Sequence, residues 1–135
     1  MALRNALRAI AVVAGMAGLA ACQTTTMTPV SAQQAASLYS GTWSGHFINR
    51  QGTRYPVTWN LTEQNGQLSG RASIPDSTFD KTPSLSGSYQ GNRAQVRSSS
   101  EFVFDMTMSV AEDGSYRLTG PVTGPNSGWL ELRRQ

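Results

Sequence analysis

From Ser40 onward no stretch of the chain sustains a helical period; apolar and polar residues alternate in short runs rich in Thr, Val, Tyr, Phe and Trp, cut by turn-forming pairs. That alternation is the tightest constraint on the fold. It predicts strands at about 41–50, 54–64, 67–75, 84–90, 93–98, 101–111, 115–121 and 127–134. Asn65-Gly66 and Asp113-Gly114 are strong two-residue hairpin signals, and Gln51-Gly52 and Gly91-Asn92 weaker ones. Connections this short make successive strands antiparallel neighbours. The fold class expected is therefore all-β, a small antiparallel up-and-down barrel of about eight strands, which leaves no exposed edge; a two-sheet sandwich is the competing solution.

Alternation also assigns faces. Tyr55, Val57, Trp59 and Leu61 share one face with Leu68, Ala72 and Ile74 and with Phe102, Phe104, Met106, Met108 and Val110. Arg54, Thr58, Asn60, Thr62, Arg71, Ser73, Glu101, Asp105 and Thr107 take the other, the pattern of a sheet wetted on one side. Pro56 falls on the outward phase, where a missing N–H is tolerated. A weak repeat runs through the strands: Trp43-Ser44-Gly45, Leu68-Ser69-Gly70, Leu85-Ser86-Gly87 and Leu118-Thr119-Gly120. In each, a glycine follows a large inward residue on the same face, which permits sharp coiling and leaves room for a neighbouring aromatic side chain.

The segment before the barrel has a different character. Met1 to Arg8 is basic, and Ala9 to Ala21 is an uncharged apolar run too short to span a bilayer, as in a secretory signal. It ends in Leu19-Ala20-Ala21-Cys22, which resembles the lipobox of bacterial lipoproteins. The resemblance implies cleavage before Cys22, acylation of its sulfur and amine, and anchoring by more than one chain, which holds a protein firmly where a single chain is marginal. Gln23 stands where an Asp favours inner-membrane retention in Gram-negative lipoproteins, so the expected location is the outer membrane, facing the periplasm. The domain layout expected is a signal peptide at 1–21, a lipidated cysteine and flexible tether at 22–39, and the barrel at 40–135. The uncharged stretch Gln23 to Ser37 would give a span of roughly 20 Å, and Ala32 to Leu38 within it could form a short helix.

The formal charge of +3 reflects that leader. Of 11 basic residues Arg4 and Arg8 lie in it, so the remainder is nearly balanced against 8 acids and the basic character is no sign of a nucleic-acid partner. Catalytic signals are absent: no G-x-S-x-G, S-x-x-K, P-loop or dinucleotide-binding glycine pattern occurs. One His and one Cys cannot build a multi-His or multi-Cys metal site, and no cofactor is implied. His46 lies near Ser44 without an in-register acid and reads as a surface or rim residue. Asp76 and Asp80 flank Ser77-Thr78-Phe79 in the longest loop and read as solvated. The expectation is a protein that is not an enzyme.

Candidate interaction residues are few. Phe79 sits amid a polar loop, either folded back over the barrel end or offered to a partner; Trp129 has an outward phase, as an interface anchor would. Arg93 and Arg97 share the outward face of one strand, with Arg71 expected nearby, and read either as an ordinary solvated face or as a patch for an anionic glycan or headgroup. Gly41-Thr42-Trp43 resembles the opening strand of avidin- and lipocalin-type barrels. In architecture the chain is also similar to small envelope protease inhibitors related to the serralysin inhibitors, without their usual disulfide. These features imply a membrane-anchored, non-enzymatic interaction module whose partner is an envelope protein, protease or glycan. Protease inhibition by the tether or a barrel-end loop, and carriage of a small apolar ligand, are the alternatives.

Overall fold

The computed structural model describes residues 27–135; the expected signal peptide and Cys22 lie outside the described residues. The elements are β1 (Thr28–Pro29), α1 (Ala32–Leu38), β2 (Gly41–Asn49), β3 (Arg54–Gln64), β4 (Gln67–Ser73), β5 (Ser84–Gln90), β6 (Arg93–Ser98), β7 (Val103–Val110), β8 (Tyr116–Thr123) and β9 (Gly128–Arg134). From β2 to β9 each strand pairs antiparallel with the next, and β9 returns to pair with β2. The sheet is a closed eight-stranded up-and-down barrel, which excludes the sandwich. Closure satisfies both edges of every barrel strand through backbone hydrogen bonds.

The inward set follows the alternation. Trp43, Trp59, Met108, Leu118 and Leu130 are fully buried in the lumen, with Leu68, Met106 and Leu132 nearly so. Each buried Trp removes roughly 150–250 Å² from water, so two of them carry much of the hydrophobic stabilisation of a domain this small. The four repeat glycines lie where strands cross most closely. A Cβ at Gly45, Gly70, Gly87 or Gly120 would overlap the carbonyl oxygen of Glu131, Asn60, Gln95 or Asp105 respectively. The room they leave is thus taken by neighbouring backbone, not by the aromatic side chain the sequence suggested.

Strand ends differ from the sequence reading for local reasons. The fourth strand stops at Ser73 because Ile74 N–H already bonds the loop carbonyl of Lys81. The seventh begins at Val103 because Glu101 turns back with φ 71°. Asn65 and Gly66 both have positive φ (52° and 83°), as a tight I′ hairpin requires. Asp113-Gly114 is not a two-residue turn: Gly114 N–H donates to Ala111 C=O and Ala111 N–H to Ser115 C=O, closing a three-residue loop. The same bonding joins Asn49 to Gly52 and Thr53, and Ser98 to Glu101 and Phe102. The left-handed position is occupied by Gly52, Gly114 and Glu101 in the three loops.

Residues 27–39, read from sequence as the end of the tether, pack on the barrel instead. Thr28 and Pro29 pair with Val110 and Ser109 of β7, just beyond the start of its pairing with β6 at Thr107. Ser31 caps α1 by accepting from Gln34 N–H at 3.3 Å. Val30, Ala35 and Tyr39 are buried against the barrel end. Ala35 and Tyr39 are spaced four apart and so share one helical face.

Candidate functional site

The two ends of the barrel are finished differently. At the end holding the β3–β4, β5–β6 and β7–β8 turns, α1 acts as a plug. Tyr39 stacks on Tyr89 with ring centroids 4.6 Å apart, and its hydroxyl donates to Gly91 C=O at 3.1 Å. Trp43 Nε1 donates to Tyr39 C=O at 3.0 Å, while Arg134 donates to Leu38 C=O at 3.0 Å and Ser40 C=O at 2.9 Å. Beside it, the Glu63 carboxylate accepts from Gly66 N–H at 3.1 Å and the Tyr89 hydroxyl at 2.8 Å. These bonds, the backbone one first, hold the Glu63 carboxyl below its usual range. Burial, then the neighbouring Tyr89, pushes the Tyr39 hydroxyl well above the ordinary phenol range, so it stays a donor.

Among the described residues no plug covers the opposite end. The β2–β3, β6–β7 and β8–β9 turns and the 74–83 loop surround a pocket of about 70 Å³. Six aromatic side chains line it: Phe47, Tyr55, Trp59, Phe79, Phe102 and Phe104. They form one connected belt. Phe102 lies 6.3 Å from Phe47, 6.2 Å from Phe104 and 5.7 Å from Phe79 between centroids; Phe104 is edge-on to Trp59 at 5.0 Å and Phe47 lies 6.1 Å from Tyr55. Ser77, Thr78, Asp80, Ser100 and Asn126 make the polar rim.

Phe79 meets both alternatives posed from sequence: it leans edge-on against Phe102 at the mouth, yet is 48 % exposed. Trp129 is 42 % exposed on the outer wall, paired in register with Pro121 and Ile48, and is not part of the mouth lining. Arg93 and Arg97 stand exposed at opposite ends of β6. Arg71 lies beyond the intervening strand β5, with its guanidinium donating to Thr82 C=O at 2.8 Å. Thus Arg93, Arg97 and Arg71 do not converge, and none of them lines the mouth. A second arginine pair does form on the outer wall, where Arg117 and Arg133 face each other across β8 and β9 and share Asp113 at 3.5 and 4.0 Å. The Ser115 hydroxyl and N–H, more than those arginines, depress the Asp113 carboxyl.

His46 lies on the outer wall with Nδ1 3.5 Å from the Arg54 guanidinium. Asp76 and Asp80 are both exposed, and Asp80 accepts from Thr82 N–H at 2.9 Å. Among the described residues no three His, Cys, Asp or Glu side chains gather as a metal site would require. The arrangement defines a β-barrel with one sealed end and one aromatic mouth. No protein-family model, curated protein or solved structure matches the chain, so the reading of the mouth rests on its own chemistry.

Sequence reasoning picked out Phe79 but not the mouth as a unit. A usable signal was present. In an up-and-down barrel the last inward residue of a rising strand and the first of a falling strand share an end, which places Phe47 with Tyr55 and Phe102.

Proposed function

We propose that this protein is an outer-membrane-anchored lipoprotein of the cell envelope whose barrel is a non-enzymatic interaction module, presenting its aromatic mouth to a periplasmic partner. The carrying observation is the polarity of the barrel. The chain enters beside the sealed end, where Met27 contacts Ser109 at 3.4 Å, and the open mouth is at the other. Met27 lies only five chain steps after Cys22, a reach of at most about 18 Å, so acylation at Cys22 keeps the sealed end nearer the membrane. The partner class is an envelope protein, protease or glycan, with no role for nucleic acid.

The mouth's size bears on the alternatives. About 70 Å³ is well below the roughly 300 Å³ at which small-molecule pockets begin, which disfavours carriage of a whole ligand. Protease inhibition moves from the tether to the 74–83 loop, since residues 27–39 are engaged with the barrel while Phe79 is half exposed. Labelled palmitate and fractionation test the anchor: the wild type is expected to take up label and sediment with outer membranes, and Cys22→Ser to do neither. Membrane attachment of Cys22→Ser would overturn the lipoprotein reading.

A further inference from the structure

The mouth's composition specifies more than an apolar seat. Six aromatic rings, whose π-faces carry negative electrostatic potential, line it, and among the described residues its lining contains one carboxylate, Asp80, with no Lys, Arg or His. The flanking turns add Asp76 and Glu101. Lys81, the cation of the same loop, is turned away to bond Pro75 C=O at 2.9 Å, and Arg50 sits at the tip of the β2–β3 turn outside the lining. The volume of about 70 Å³ is under half of the ~150 Å³ of a dry engineered cavity that takes benzene, so the seat suits one compact group. Half-exposed Phe79, whose ring meets the belt edge-on at Phe102, is the wall that can move to admit it.

We propose that the mouth binds a quaternary ammonium group, its methyl surface against the aromatic walls and its charge toward Asp80. Aromatic enclosure suits such a cation because it carries low hydration and no N–H requiring an acceptor, while ring faces and one carboxylate stabilise the charge. A neutral group of the same shape gains only the apolar part. This site deepens the interaction reading above. Its failure is separable, because the anchor is tested by Cys22→Ser fractionation and this site by a soluble probe.

The test titrates the purified full-length protein carrying Trp129→Phe, which removes the outer-wall fluorophore, with choline and with its neutral isostere 3,3-dimethylbutan-1-ol, following the emission of the remaining Trp43 and Trp59, of which only Trp59 lines the mouth. Choline is expected to saturate the signal and bind at least about tenfold tighter than the isostere. Asp80→Asn, which keeps an acceptor for Thr82 N–H, is expected to weaken choline several-fold and leave the isostere unchanged. A phosphatidylcholine vesicle arm separates sources: retention on those vesicles but not on phosphatidylglycerol assigns a lipid headgroup, and choline binding without retention assigns a free solute. Equal affinity for choline and the isostere, or no binding of choline, would overturn the proposal.

Discussion

The two ends of this barrel enclose one continuous core, yet one is closed by hydrogen bonds that reach across the chain and the other by an aromatic belt with local hydrogen bonds within its loops. At the sealed end hydrogen bonds tie the groups around α1 to the barrel: Tyr39 hydroxyl to Gly91, Trp43 indole to Tyr39, and Arg134 to Leu38 and Ser40. At the mouth, Phe79 meets Phe102 edge-on, is held through its backbone N–H only by Ser77 two residues away at 2.9 Å, and remains half exposed. Directional bonds make the first end a fixed closure. Weak edge contacts leave the second available for exchange with a partner's surface.

Truncation separates the ends most sharply. Tyr39→Ala removes a fully buried ring and its bond to Gly91, and is expected to cost about 3–5 kcal/mol in urea unfolding. Phe79→Ala is expected to cost less than about 1 kcal/mol. Similar losses at both positions would break the distinction. Arg134→Met leaves two carbonyls of the plug without their donor, and a loss of about 2 kcal/mol is expected by the same measurement.

Acid should act on the sealed end first. Because the folded Glu63 carboxyl is held below its ordinary range, its contribution is complete above that range and is lost as pH falls through it toward the folded value. Stability measured from pH 6 down to pH 3 is expected to fall, with a shallower acid limb in Glu63→Gln. An unchanged limb in that variant would remove Glu63 from the closure. The smallest effect belongs to the mouth: Glu101 holds the left-handed position that Gly52 and Gly114 fill in the equivalent loops. Glu101→Gly is expected to stabilise the protein by up to about 1 kcal/mol in thermal unfolding.

Strands, faces and α1 were legible because each is written in local pattern. The period-two alternation of Tyr55 to Leu61 and Phe102 to Val110 fixed the inner wall, and the Asn65-Gly66 pair fixed a turn. What lay beyond reach was long-range. Tyr39 meets Gly91 across 52 positions, and Arg134 meets Leu38 across 96, so a segment weak in apolar bulk read as a tether although it closes the barrel. The mouth was obscured for a related reason: its lining comes from several strands and three connections that only barrel closure brings together. Alternation placed Arg93 and Arg97 on one exposed face but could not give cross-strand neighbours; Arg71 and Arg97 are both exposed with β5 between them.

The most direct measurement of the difference between the ends is photo-crosslinking in the native envelope, with the photoreactive residue placed at Phe79 in the mouth or at exposed Glu112 in the β7–β8 turn of the sealed end. A discrete adduct from position 79 and none from position 112 is the expected result. Adducts confined to position 112 would contradict the assignment of the mouth as the working face.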